Sequence, residues 1–437
     1  MEDLRRLPKV DALSRNERLA GYPERVRTEA ARQGIDRARE ALLAGGIASA
    51  EDEAVNAAEL LMAYTTKRVI NASGVILHTG LGRARLAPSV VDHLAEVASS
   101  HAVVEYDLDS GSRGDRQEHV RGLLAELTGA EDALVVNNAA AGLILTLSAL
   151  VGDGDVVLSR GQMVEIGGSF RIPDIIRQSG CNLVEVGCTN KTRLSDYQDA
   201  LHPFVAILRC HTSNYKIIGF TAQPSLEELV GLASEFGTTV IDDQGTGCLV
   251  DTSRFGMAKI PTVQDSVAAG ADVVIASCDK LLGGPQGGMI VGSREAIQAI
   301  AKHPLARAFR VDKLTIAALE ATLRLYVQGR ETEIPTIRAI SIPIEEVKAM
   351  AEDLCPPGGI VSEGITEIGG GSSPGTGVRT YRVGLQSPNA DILSRDLRVG
   401  DPAIITRIED GRVWLDPRTM DEGEVEIVKC RLKSLGC

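Results

Sequence analysis

The sequence predicts an α/β protein: a mainly parallel sheet covered by helices, preceded by a small helical domain and followed by an α+β domain. Three observations carry that prediction. Short Val/Ile/Leu-rich runs recur through the middle of the chain, DALVVNN, DVVLSRG, LVEVGCTN, VAILRCHTSN, TVIDDQGTG and DVVIASCDK, each ending in polar or small residues. Helix-like segments such as SFRIPDIIRQSG and SLEELVGLASEFG lie between several of them. Strands alternating with helices form βαβ units, whose parallel strands are buried on both faces and read as unbroken apolar runs. Third, the 437 residues are 44% hydrophobic and 24% charged, a length for two or three domains and a balance that excludes disorder as the main state.

In chain order, residues 1–66 form the helical domain. ERVRTEAARQGIDRAREALLAG stops at Gly45-Gly46, and EDEAVNAAELLMAYTTKR opens with acids where the helix dipole favours them. Residues 67–311 carry the alternating pattern. Residues 312–334 include the linking helix DKLTIAALEATLRLYVQG. Residues 335–437 mix the helix EEVKAMAEDL with strand-like GVRTYRVGL and AIITRIEDGRVWLD, the last containing an Asp-Gly hairpin signal.

Charge narrows the partners. The chain carries a formal −13, so it has no global basic field for nucleic acid. Residues 5–39 are the exception, with ten basic against five acidic residues, a net +5. That stretch reads either as a local nucleic-acid-binding patch or as a solvated helical face. The eight cysteines include no Cys-x-x-Cys pair and the seven histidines no metal spacing, so no metal is expected. The start, MEDLRRLPKV, lacks the apolar core of a signal peptide, and no apolar run is long enough to span a bilayer. The expectation is a cytoplasmic protein with reduced thiols and no membrane partner.

Chemistry concentrates at the ends of the apolar runs, because ligands of parallel sheets sit beyond the carboxyl ends of the strands. In SCDKLLGGPQGG, Lys280 follows a strand and precedes paired glycines that let backbone crowd a flat group. A desolvated lysine there has a depressed pKa and can condense with an aldehyde. Asp243 ends TVIDDQGTG and can keep the ring nitrogen of pyridoxal 5′-phosphate protonated, with the adjacent Asp242 as the other candidate, since alternation sends only one toward the site. Asn137, Asn138 and Ala139 end a strand and open a helix, a phosphate cradle of backbone N–H groups. Cys278 reads as a small residue filling space under the strand end, with no visible partner to lower its pKa.

Cradle, acid and lysine on successive strands resemble the aspartate-aminotransferase-like (fold type I) pyridoxal-phosphate enzymes. In that fold the HTSN segment, with His211 and Ser213, contacts the cofactor ring and its hydroxyl. The resemblance becomes closer in INASGVILHTGLGRARL (70–86), YDLDSGSRGDRQEHV (106–120), RGQMVEIGGSFRIPDIIRQSG (160–180), HTSNYKIIGFT (211–221), DKLLGGPQGG (279–288) and KHPLARAFRVDKLTIAALEATLRLY (302–326). These strings are similar to those of the bacterial selenocysteine synthases, from LRRLPKVDAL near the start to GRVWLDPRTM near the end.

The resemblance implies conversion of L-seryl-tRNA(Sec) to L-selenocysteinyl-tRNA(Sec) through an aminoacrylyl intermediate on pyridoxal phosphate, with selenophosphate as donor. It implies Lys280 as the Schiff-base lysine, Asp279 as a site residue, and Arg83, Arg307 and Arg310 as donor-binding residues. Guanidinium forks suit phosphate oxygens. It also implies a homodecamer built from dimers that share sites. Gly80, Ala139, Gln244, Thr246 and Cys278 depart from the family's usual residues. The alternative is a pyridoxal-phosphate lyase on the same core, acting on a free amino acid or sugar-acid phosphate without tRNA.

Overall fold

A computed structural model describes residues 4, 6–167, 170–372 and 375–437. Arg5 of the basic stretch, and Gly168 and Ser169 of the 160–180 string, lie outside the described residues. The chain divides into two compact units, Met1–Arg68 and Val69–Cys437.

The first unit is built on α1 (Glu24–Leu43) and α2 (Ala50–Met62). Their contact face is nearly all alanine: Ala30, Ala31 and Ala38 are buried with Ala54, Ala57 and Ala58. Gly34 completes it, since a Cβ there would stand 2.6 Å from the Ala54 nitrogen. Small side chains let the two backbones close, so van der Waals contact replaces a large apolar core. Ser49 caps α2 by accepting from the Asp52 N–H at 3.3 Å. Part of the basic excess is answered internally by the pairs Arg18–Asp52, Arg32–Glu29, Arg37–Glu53 and Arg39–Asp36. These are exposed pairs, each worth little stability.

The second unit opens with a short strand, β1 (Val69–Asn71), and then builds its main sheet. In chain order the sheet elements are β2 (Asp132–Val136), followed by α3 (Ala139–Leu150), β3 (Asp155–Ser159), β4 (Asn182–Val186) and β5 (Val205–Cys210). After α4 (Leu226–Phe236) come β6 (Thr239–Gly245), β7 (Val273–Ser277) and β8 (Gly288–Gly292). Across the sheet the order is β2-β8-β7-β6-β5-β3-β4. Only β8 runs antiparallel to its neighbours.

Alternation along each strand feeds two cores. Ala133 and Val135 of β2 join Ile207, Val240 and Val274 on one face, while Leu134 and Val136 join Leu208, Ile241 and Ile275 on the other. Helix α4 brings Leu226, Leu229 and Leu232 to the first face, and α3 brings Leu143 and Leu147 to the second. The reason α4 begins where it does is a capping box: Ser225 Oγ accepts from the Glu228 N–H, and the Glu228 carboxylate accepts from the Ser225 N–H. It stops at Gly237, whose φ of +64° only glycine adopts freely.

Helix α5 (Lys313–Val327), capped by Asp312, leads into the C-terminal region. There β9 (Ile360–Glu367), β10 (Gly377–Leu385), β12 (Arg407–Glu409) and β13 (Arg412–Leu415) form an antiparallel sheet in the order β9-β10-β13-β12. The Asp410-Gly411 turn, with both φ values positive, joins β12 to β13 as the sequence indicates. A third small strand, β11 (Ala403–Ile405), pairs in parallel with β1, so the opening strand of this unit lies among its last elements. No helix among the described residues is long and apolar enough to cross a membrane.

A buried polar knot ties this region together. Asp416 accepts from the hydroxyls of Thr366 at 2.6 Å and Thr380 at 2.9 Å, and from the Arg418 N–H at 3.0 Å. The Arg418 side chain, 1% exposed, donates to the carbonyls of Ala339, Ile342 and Arg379. Arg418→Ala leaves three carbonyls without that donor and opens a cavity, so it is expected to cost about 3 kcal/mol or more. Denaturant unfolding checks this; a change below about 0.5 kcal/mol, the usual effect of a neutral surface site, contradicts it.

Candidate active site

Four strand ends converge on one cavity of about 300 Å³. Asn138 and Ala139 reach it from the end of β2, Cys210, His211 and Ser213 from β5, Asp243 and Gly245 from β6, and Ser277, Asp279 and Lys280 from β7. Because β8 is antiparallel, its first residue lies at the same edge. A Cβ on Gly288 would stand 2.3 Å from the Asn138 carbonyl oxygen, so glycine is required for β8 to start against the opening of α3.

Of the three residues that the sequence suggests as a cradle, Asn138 and Ala139 reach the cavity and Asn137 does not. Asn138 is the N-cap of α3, its side chain accepting from the Ala141 N–H at 2.8 Å. Ala139 and Ala140 line the cavity at the first turn, where N–H groups lack intrahelical partners. Asn137 is not among the lining residues; its N–H donates to the Phe309 carbonyl at 3.0 Å.

Alternation along β6 separates the two acids. Asp242 turns away and accepts from Arg209 Nη1 at 2.9 Å, whereas Asp243 lines the cavity. Burial pushes the Asp243 carboxyl up to about 7, against the pull of the Lys280 charge. Burial likewise holds Lys280 below the usual lysine range, opposed by Asp243 and assisted by Arg83. Each member of the pair is thus driven toward its neutral form. His211 is also held down by burial and by Arg209, so its ring is neutral, and its Nε2 is buried without a partner.

These features fit pyridoxal phosphate. A pyridinium N–H would give the buried Asp243 carboxylate a charged partner, the open N–H groups of α3 would take the phosphate, and the flat neutral His211 ring would meet the cofactor ring.

At the edge of the cavity Arg83 Nη1 donates to Asp279 Oδ2 at 2.8 Å, and the Ala84 N–H donates to the Asp279 carbonyl. Arg83 has a φ of +63°, a left-handed conformation that costs a non-glycine residue about 1 kcal/mol or more. The loop holds its guanidinium against Asp279 despite that strain.

Arg307 and Arg310 are not brought into the cavity. The Arg310 backbone bridges to Val136 at the end of β2, and its side chain turns to Glu105 at 3.1 Å. Glu105 also accepts from Arg113 and Arg116, making an arginine-rich cluster around one carboxylate. Cys278 is fully buried, its thiol pushed well up by burial, and it does not line the cavity. Gln244 bridges the Gly247 N–H and the Pro261 carbonyl, holding the turn after β6. The lining residues that the sequence reading missed include Gln286, which projects from the glycine string GGPQGG, where the paired glycines were the available signal.

With that geometry in hand, comparison with known proteins decides the family. The sequence model of the L-seryl-tRNA selenium transferases matches residues 69–421. The chain belongs to that family. Among similar selenium transferases, the L-seryl-tRNA(Sec) selenium transferase of Carboxydothermus hydrogenoformans is 43% identical over 98% of this chain and 96% of its own. The enzyme of the same name from Hyphomonas neptunium is 44% identical over 97% of this chain and 96% of its own. Among solved structures, D-glucosaminate-6-phosphate ammonia-lyase aligns with a TM-score of 0.63 at 24% identity, covering 85% of this chain and 96% of that one. That likeness concerns the fold alone. The fold class expected for a selenium transferase, a fold type I α/β domain with a mostly parallel sheet and a helical N-terminus, is borne out.

Proposed function

We propose that the protein converts L-seryl-tRNA(Sec) to L-selenocysteinyl-tRNA(Sec), with pyridoxal phosphate in the cavity and selenophosphate as selenium donor. The observation that carries this reading is the convergence of Lys280, Asp243, His211 and the opening of α3 on one cavity, in a chain similar over nearly its full length to enzymes named for that reaction.

Bound pyridoxal phosphate supplies an electron sink for the pair left when the serine α-proton departs. The protein's residues do the rest. Asp243 holds a proton on the ring nitrogen, and the N–H groups of Ala139 and Ala140 anchor the phosphate. Ser213 and His211 orient the ring. Lys280, whose amine burial favours as the neutral base, takes the α-proton at Nζ. The β-hydroxyl then leaves as water with the proton that Lys280 carries; selenium adds at the β-carbon, water takes the phosphoryl group from selenium to give phosphate, and a proton returns to the α-carbon. Arg83 receives the anionic donor, and Asp279 holds that guanidinium in place. Arg307 and Arg310 do not line the cavity of their own chain, so a donor-binding role for them requires sites completed across a dimer, as in a homodecamer assembled from dimers.

The first unit supplies the tRNA contact in this reading, since the rest of an acidic chain repels a polyanion. Removing residues 1–66 is expected to abolish tRNA binding while the remaining unit still takes up the cofactor. Charge reversal at Arg25, Arg32 and Arg39 is expected to weaken tRNA binding and lower the slope of log affinity against log salt by up to about 3, without altering the cofactor spectrum. Filter binding across a salt series checks both. Equal affinity in the truncated and full-length proteins would make this unit an assembly element and its basic residues a solvated face.

A further inference from the structure

A second cavity of about 500 Å³ adjoins the first, and Ser213 lines both. Asn214 stands beside Ser213 on one wall. Gly369, Gly371 and Ser372, in the segment between β9 and β10, form another, with Ile365 of β9 at the edge. Its volume is that of a small-molecule site, about 300–1,000 Å³.

Three features of this cavity point to an uncharged, hydrogen-bonding ligand. No lysine or arginine is found among its described lining residues, and its one carboxylate, Glu367, is already paired with Arg407 at 2.9 Å. The Ser372 hydroxyl is buried without a hydrogen-bond partner on a residue only 1% exposed, so it is available to a group that enters the cavity. Gly369, Gly370 and Gly371 all have φ between +63° and +72°. They keep the wall free of side chains, and a Cβ on Gly371 would project to 3.8 Å from Ser213 Oγ, at the wall the two cavities share.

We propose that this second cavity seats the terminal nucleoside of the aminoacyl-tRNA, its ribose and base, while the esterified serine occupies the first. The proposal rests on the substrate reading above. In an aminoacyl ester the amino acid is bonded directly to a ribose oxygen, so the nucleoside must lie next to wherever the serine reacts. Among its described lining residues the adjoining cavity offers no cation and only a carboxylate that is already paired, which suits a nucleoside and not the phosphates that follow it.

The test compares two small esters on the cofactor-loaded protein: L-serine joined to the 3′-hydroxyl of adenosine, and L-serine methyl ester. They differ only in the nucleoside. The wild-type KM for the adenosyl ester is expected to be about tenfold or more below that for the methyl ester. Ile365→Trp adds bulk from a strand position that is 57% exposed, and should bring the ratio close to one; Ser372→Ala should reduce it. Calorimetric titration with adenosine alone gives a readout independent of turnover, with binding expected to the wild type and lost in Ile365→Trp. The cofactor absorbance of each variant checks that the first cavity is intact. A wild type that converts seryl-tRNA(Sec) but shows no preference between the esters overturns this proposal and leaves the function standing, as does a preference that survives Ile365→Trp. A wild type inert toward seryl-tRNA(Sec) overturns the function and the proposal together.

Discussion

Lys280→Ala is expected to abolish turnover and to lose the covalent cofactor adduct that borohydride reduction leaves on the wild type. Lys280 is 5% exposed at the end of β7, where burial depresses its pKa and favours the unprotonated amine that attacks an aldehyde. The same amine is the base for the α-proton, so its removal takes away attachment and proton transfer together. Peptide mapping after reduction gives the decisive reading. An adduct on any other lysine would mean that the site is misassigned, because no other lysine lines this cavity among the described residues.

Asp243→Asn is expected to lower turnover by about 10²–10³-fold, the range for loss of one preorganised charged group, with a much smaller change in KM. An amide cannot hold a proton on the ring nitrogen as a carboxylate does. Folding should survive, because burial already disfavours the Asp243 charge, and the backbone bond from the His211 N–H to the Asp243 carbonyl is kept. Steady-state kinetics together with a thermal melt separate the two effects. Unchanged turnover would remove Asp243 from the mechanism, and a large loss of stability would make its role one of packing.

Much of this architecture is legible in the sequence because parallel strands buried on both faces leave unbroken apolar runs. All six runs are strands, and α4 lies where Ser225 and Gly237 place its ends. Strand β8 was hidden: GMIVG is short and bounded by glycines, so it reads as the tail of a glycine-rich turn. Strand β9 was hidden for another reason, since IVSEGITE carries two glutamates and a glycine on a half-exposed edge and shows no strong apolar pattern.

Within the site, Lys280, Asp279, His211, Ser213, Asn138, Ala139 and Arg83 meet at the cavity because each sits at or beside a segment whose end the sequence marks. The choice between Asp242 and Asp243 depended on strand phase, which sequence leaves open until Asp242 is seen paired with Arg209. Asn137, Arg307 and Arg310 are close to the cavity in sequence or register but are not among its described lining residues; the Asn137 backbone N–H bonds Phe309, and the Arg310 side chain pairs with Glu105. Motif similarity carries no information on which way such side chains point within one chain.

The purified protein, loaded with pyridoxal phosphate, is given seryl-tRNA(Sec) and selenophosphate, and the amino acid released from the tRNA is identified. Selenocysteine on the tRNA, formed only when both substrates and Lys280 are present, is the predicted result. A protein that leaves seryl-tRNA(Sec) unchanged while eliminating from a free amino acid or a sugar-acid phosphate would contradict the account.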